Sequence, residues 1–410
     1  MFSSSDDMAD LSNPLLDLER EKADQWIAAA HKSIAAFLSG MEKRPAYIDA
    51  AQKHEALRLT ENSEPQPIDS VLETFFQEIK LDGIMTAAGG HMGYIPGGGL
   101  MAGALADYIG AAVNLFTGDS ASAPAAAKIH AETINWLLGI VGFGPEAFGD
   151  ITSGGSLAAL TALVAARQAF SESFAVPGKV AVYVGQHVHH SFQKALGIAA
   201  YGKVQLRVVP SGREFRIDLQ SLDDLSRRDV AAGITPWIAV ASAGTTSLGT
   251  IDNLEGISEI CRRRGMWLHI DAAYGGFFML VPSLRGKFAG IDRADSIVMD
   301  PHKGLFLPYG CGALLVKDKY NLRRSLKATA SYLQDSKESG LPSPMDYSLE
   351  LTRPFRSLRL YLTLKLHGEE SLRQAIWQKH RLAEYLYGRI CDIAGLRLMG
   401  KPDLSIVAFF

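Results

Sequence analysis

The stretch SIVMDPHKGLFLPYGCG, residues 296–312, decides how the rest of the chain is read. Ser296 to Met299 is a short apolar run and Asp300-Pro301-His302 stops it. Lys303 then enters a turn of Gly and aromatic residues, ahead of a second apolar run from Gly312 to Val316. A lysine ammonium in apolar company is costly unless it is paired, neutralised or covalently used. Outward from this stretch the same kind of run recurs: VAVYV (180–184), VQLRVV (204–209), WIAVAS (237–242), WLHID (267–271) and ALLV (313–316). Helix-length segments such as 217–233 and 253–264 alternate with them. Continuous apolar strands separated by helices predict an α/β fold with a mostly parallel sheet covered on both faces. Ligands of such sheets gather at the carboxyl ends of the strands.

Those ends carry the polar residues. WIAVASAGTTS finishes on Thr245 and Thr246, WLHIDAAYGG on Asp271, SIVMDPHKG on His302 and Lys303, and VAVYVGQHVHHS on His187, His189 and His190. The turn Ser153–Ser156 precedes the helix candidate LAALTALVAARQAF, whose first N–H groups suit a phosphate. A lysine for an imine, a carboxylate for a pyridinium nitrogen, a flat imidazole for stacking and a helix start for a phosphate monoester make a cofactor site. Pyridoxal 5′-phosphate uses all four. The paired histidines also invite a metal reading, but no further ligands stand at a metal-like spacing, so no metal is expected.

Composition narrows the partners. The chain has 410 residues, 47% of them hydrophobic and 21% charged, with a formal net charge of −3 and no Lys/Arg block. Nucleic acid and anionic membrane are thereby poor partners, and no apolar stretch reads as a membrane span. Cys261, Cys311 and Cys391 are far apart and in no metal-like spacing, which fits a reducing compartment. The N-terminus, MFSSSDDMADLSN, lacks a basic region followed by an apolar core, so the expectation is a cytoplasmic protein.

The length predicts more than one subdomain. Residues 15–40 have helical spacing, a second helix runs through Phe75, Phe76 and Ile79, and an Ala-rich helical stretch extends to about 140. The polar segment 327–352 reads as a lid-like loop. Helix resumes from about 355 to 394, and the terminal DLSIVAFF reads as a strand.

With these motifs in view, the chain resembles the group II pyridoxal-phosphate-dependent decarboxylases, the family of aromatic-L-amino-acid and glutamate decarboxylases. The resemblance runs from about residue 70 to the end. TSGGSLAAL resembles the family's phosphate-binding turn and HVHHSFQKA its stacking-histidine segment; AGTTSLGTIDNL, HIDAAYGG and DPHKG follow in the family's order and spacing. FRSLRLYLTLKLHG resembles the helix after its mobile loop.

The resemblance implies an aspartate-aminotransferase-like fold (type I) with a seven-stranded sheet. Residues 1–95 would be a helical segment packing on the partner of a homodimer, 96–370 the large cofactor-binding domain with a mobile loop at about 327–352, and 371–410 the start of an incomplete C-terminal small domain. It implies that Lys303 is the Schiff-base lysine, that Asp271 partners the pyridine nitrogen and that His189 stacks on the ring. Gly155 and Ser156, with His302 alongside, would hold phosphate; Thr246 and Ala273 would contact the ring region. Tyr332 would protonate the substrate carbon after carbon dioxide leaves. Tyr94, Ile95 and Pro96 would line the substrate pocket, whose small apolar segment favours an aromatic L-amino acid. The reaction implied is decarboxylation to the amine through a Lys303 aldimine and a quinonoid. The rival readings are an acidic or aliphatic substrate, transamination, aldehyde synthesis, and a truncated member that binds cofactor without turnover. Two positions depart from the pattern: Asp300, commonly Asn in the aromatic decarboxylases, and Gly304, where many members carry a bulky residue.

Overall fold

The computed structural model describes residues 19–49, 54–57, 64–80, 82–95, 97–170, 179–199, 204–327 and 340–410. Tyr332 and Pro96 lie outside the described residues, as does part of the expected loop at 327–352. The chain divides into two compact units, Met1–Gly97 and Gly98–Phe410.

The first unit holds helix α1 (Arg20–Ser39), strand β1 (Tyr47–Ile48), helix α2 (Ile68–Glu78) and strand β2 (Gly83–Ile84). β1 and β2 pair antiparallel. No residue of α1 or α2 is buried; the two helices meet through Phe37 and Phe76, whose ring centroids are 5.4 Å apart.

The second unit begins with α3 (Met101–Val113) and α4 (Pro124–Val141). The single Ala-rich helical stretch expected from sequence is thus two helices. Asn114 ends the first in the left-handed region (φ 44), and Pro124 opens the second at a position that needs no N–H donor. There follow β3 (Phe148–Thr152), α5 (Gly155–Ala169), β4 (Val180–Gly185), α6 (His190–Ala199), β5 (Gln205–Val209), α7 (Leu219–Ala231), β6 (Thr235–Ser242), α8 (Leu254–Arg264) and β7 (Trp267–Asp271). The unit finishes with the short α9 (Pro282–Arg285), β8 (Ser296–Met299), the one-turn α10 (Pro301–Gly304), β9 (Gly312–Val316), α11 (Lys319–Leu326) and the long α12 (Arg356–Cys391).

These strands form one seven-stranded sheet, in the order β3-β9-β8-β7-β6-β4-β5. β5, β4, β6, β7 and β8 run parallel, while β9 is antiparallel to both β8 and β3. Every residue of β3, β8 and β9 is buried, as a sheet covered on both faces requires. The strand order reverses between β4 and β6, since β5 lies beyond β4 while β7, β8 and β9 lie on the other side. That is where open α/β sheets form a crevice. Ser242, Asp271 and Val298 are register partners on three neighbouring strands, so the ends of β6, β7 and β8 stand level.

β3 was not legible as a strand, because its FGDIT sequence carries a Gly and an Asp. Asp150 is tolerated in it because Arg353 meets its carboxylate. The terminal DLSIVAFF is a correction. It adds no strand to either sheet; Asp403, Leu404 and Ser405 form a bend, and Phe409 bridges to Leu398 alone. Its polar members are used locally: Asp403 pairs with Arg216 and Lys287, and Ser405 bonds the Tyr274 hydroxyl. Residues 343–353 are likewise tied down, with the Ser343 hydroxyl bonding Asp119, Tyr347 buried and Thr117 bonding the Arg353 carbonyl. No helix among the described residues is long and apolar enough to cross a membrane.

Candidate active site

Helix starts in the second unit are closed by a side chain in some places and left open in others. α7 and α8 are closed by their own sequence, with Asp218 accepting from Ser221 N–H at 2.7 Å and Asn253 from Gly256 N–H at 2.9 Å. α5 has no such cap: Gly154 precedes it, and no side chain bonds its first turn. The opening N–H groups of a helix have no partner within it, so Gly155 and Ser156 present donors at the positive end of a 15-residue helix. Close packing holds this turn in place. A Cβ on Gly312 would lie 2.5 Å from Gly154 Cα, and a Cβ on Gly155 would lie 2.9 Å from Asp300 Oδ2.

The uncapped turn lines a cavity of about 400 Å³ at the reversal point of the sheet. Its described lining runs from Ser153 to Gly310 in sequence. It gathers Gly155, Ser156, His189, Thr246, Asp271, Ala273, His302 and Lys303 into one place.

Asp271, at the end of β7, accepts the Ala273 N–H at 3.1 Å, which aims its carboxylate. The His189 Nδ1 lies 2.6 Å from Ser191 Oγ and accepts the Ser191 N–H at 3.3 Å; these bonds orient the ring and leave Nε2 to carry the proton. Burial holds the His189 imidazole below its usual pKa, against the pull of Asp271, and so favours the neutral flat ring. His302 is fixed by its Nδ1–H, which donates to the Cys311 carbonyl at 2.6 Å, and burial again lowers its pKa.

Lys303 sits on the one-turn α10, with its side chain 26% exposed and its Nζ 2.8 Å from Asp300 Oδ2. Asp300 is 1% exposed, and burial pushes its carboxyl pKa up against the opposing influence of Lys303 and His302. Its Oδ1 is buried without a hydrogen-bond partner among the described residues. Gly304 also has a geometric reason: a Cβ there would stand 2.8 Å from the Phe277 ring, which stacks on Trp136 and occupies the space a bulkier residue would need.

Tyr94 and Ile95 belong to the first unit, where Tyr94 is 79% exposed with φ 59. Asp300 as the ion partner of Lys303 and Ser191 as the anchor of His189 were not singled out from sequence. The i,i+3 spacing to Lys303 and the i+2 spacing from His189 were the available signals.

A lysine-lined pocket with an open helix start, on a sheet of this order, fits the fold type I of pyridoxal-phosphate enzymes. The family model described as the pyridoxal-dependent decarboxylase conserved domain matches residues 50–410. Aromatic-L-amino-acid decarboxylase of Bacillus atrophaeus is 32% identical over 78% of this chain, which spans 66% of that protein's length. Phenylacetaldehyde synthase of Arabidopsis thaliana is 28% identical over 94% of this chain and 80% of its own length. Among solved structures, Catharanthus roseus tryptophan decarboxylase in complex with L-tryptophan superposes with a TM-score of 0.87 at 26% identity, covering 96% of this chain and 85% of that one. The chain belongs to the pyridoxal-dependent decarboxylase family, whose members are lyases, and pyridoxal 5′-phosphate is its cofactor.

Proposed function

We propose that this protein decarboxylates an L-amino acid with an aromatic side chain to the corresponding amine. The observation that carries the reading is the convergence of Lys303, Asp271, His189 and the uncapped start of α5 on one cavity. Gly155 and Ser156 hold the phosphate through backbone N–H groups, with His302 beside them. Lys303 supplies the amine that binds the cofactor covalently, Asp271 holds a proton on the ring nitrogen, and the neutral His189 ring offers a flat face. Bound there, pyridoxal phosphate supplies an electron sink for the pair released when carbon dioxide leaves. Tyr332 then delivers a proton to Cα, Thr246 and Ala273 border the ring, and Tyr94, Ile95 and Pro96 border the substrate.

Side-chain preference follows from charge. Lys303 is the one lysine or arginine among the described lining residues, and the cofactor occupies it. An acidic side chain would then lack a cation to receive it. The relatives named for aromatic substrates agree with this choice. The functional unit is a homodimer whose partner covers the N-terminal helices; light scattering of the purified protein at twice the monomer mass is the expected result.

The decisive assay supplies the loaded protein with tyrosine, Dopa, phenylalanine, tryptophan and glutamate while carbon dioxide, amine, ammonia and peroxide are measured. Equal carbon dioxide and amine from an aromatic substrate are expected. Turnover of glutamate alone would overturn the substrate class. Aldehyde with ammonia and peroxide would favour the second reading, which rests on the similarity to a phenylacetaldehyde synthase.

A further inference from the structure

The pocket asks two acids to share one helix end. Asp300 Oδ2 lies so close to the first turn of α5 that a Cβ on Gly155 would come within 2.9 Å of it. On the reading given above, that same turn receives the cofactor's phosphate. The Asp300 side chain is 1% exposed; Oδ2 pairs with Lys303 Nζ at 2.8 Å, and the buried Oδ1 has no hydrogen-bond partner. A buried carboxylate needs both a countercharge and hydrogen bonds on its remaining lone pairs, and here the second requirement is unmet.

The titratable and charged groups around it come from several elements. Lys303 and His302 share its own turn, Asp271 faces it from β7, and His189 acts on it from the segment after β4. The Cys311 thiol lies beside β9, and Arg359 of α12 acts on the same cluster through its influence on His302 and Cys311. Among the described residues, Lys303 is the one cation within bonding distance. His302 Nε2 is 3.7 Å from Oδ2, beyond hydrogen-bond range, and its Nδ1–H is committed to the Cys311 carbonyl. With the cofactor in place, the lysine nitrogen would be shared with it instead of held by Asp300 alone, and a phosphate dianion would stand beside the carboxylate.

We propose that Asp300 is a proton-dependent member of the phosphate cradle, taking one proton when the cofactor is loaded and so becoming an O–H donor instead of a second anion. The change is a single protonation: one O–H bond forms on the carboxylate and no other bond is altered. Burial already favours the protonated carboxyl in this position, and the bare Oδ1 is the atom a proton or a donor bond would satisfy. The sign follows from linkage. A carboxyl whose loaded-state pKa exceeds its free-state value contributes affinity that is complete below the free-state pKa, and that affinity is lost as pH rises toward the loaded-state pKa.

The test titrates apo-protein with pyridoxal 5′-phosphate across a pH series, following visible absorbance, for wild type and Asp300→Asn. Asparagine keeps the shape and is a neutral donor at every pH. Within the titrating range, wild-type affinity is expected to fall more steeply than that of the variant, by up to about tenfold per pH unit, one proton's worth. Equal slopes overturn the proposal. Wild type alone gives a second readout, because loading should create the infrared band of a protonated carboxylic acid; its absence overturns the proposal even if the variant fails to fold. The inference rests on the cofactor reading, and the two fail differently. Wild type with no saturable cofactor absorbance sinks both, whereas normal loading with parallel pH curves sinks only the role of Asp300.

Discussion

Two buried ion pairs, on opposite sides of β9 in the same sheet, show how one interaction type serves two ends. At the β3 edge, Arg353 meets Asp150: one guanidinium nitrogen bonds the Asp150 carboxylate and another the Ile151 carbonyl at 2.7 Å, while Ser348 also supports the carboxylate. Beyond the end of β8, Lys303 meets Asp300 through one contact and leaves the second carboxylate oxygen bare. Arginine cannot give up its charge, and its planar fork is consumed by the bonds it makes. Lysine is a flexible point charge that can lose a proton and become a nucleophile. The first pair is a finished network that fastens an edge strand. The second is left unfinished beside a cavity.

Lys303→Ala breaks the comparison most sharply. Amine production should drop by about a thousandfold or more and the cofactor's visible absorbance should no longer saturate. A variant retaining cofactor absorbance would show that another group holds it. Arg353→Met tests the other pair: it leaves Asp150 buried without its countercharge, so about 3–5 kcal/mol of stability should be lost in urea unfolding. A loss below 1 kcal/mol would mean that the network is not what fastens β3.

The same region carries a pH signature. His130 packs beside Asp150 with its pKa lowered to about 3, first by burial and then by the Arg353 charge. The folded state refuses a proton that the unfolded chain accepts below its usual value of 6.5. Stability is therefore complete above that value and declines as pH falls toward 3, by about 1.4 kcal/mol per unit at most from this group. His130→Gln should remove one proton from the measured slope; an unchanged slope would assign it elsewhere. The smallest effect belongs to the cofactor pocket, where Ser191→Ala removes the hydroxyl 2.6 Å from His189 Nδ1. About 1 kcal/mol, or roughly a fivefold loss of kcat with little change in unfolding, is expected. No change would show that the Ser191 N–H alone orients the ring.

These strands were legible because continuous apolar runs are what a doubly covered sheet demands, and all six runs read as strands match observed strands to within two residues at either end. Three things were hidden for separate reasons. β3 looked too polar because its acid is neutralised from 203 positions away by Arg353. The Ala-rich helix split at Asn114, where a left-handed residue fits as readily as a helical one in the sequence pattern. DLSIVAFF has strand composition, but composition does not supply a neighbouring strand.

The sequence by itself determined the chemistry that is local: a lysine after an apolar strand, an acid at the end of another, an imidazole after a third, and a glycine turn before a helix. These depend on residue type and short spacing. Only the tertiary structure decided that Asp300 turns toward Lys303 and the Gly155 turn, that Phe277 excludes a side chain at Gly304, and that the start of α5 stays uncapped beside both. Apart from the i,i+3 pair of Asp300 and Lys303, those outcomes rest on contacts between residues remote in sequence. The energy of burying a charge depends on what surrounds it in space, which spacing along the chain does not record.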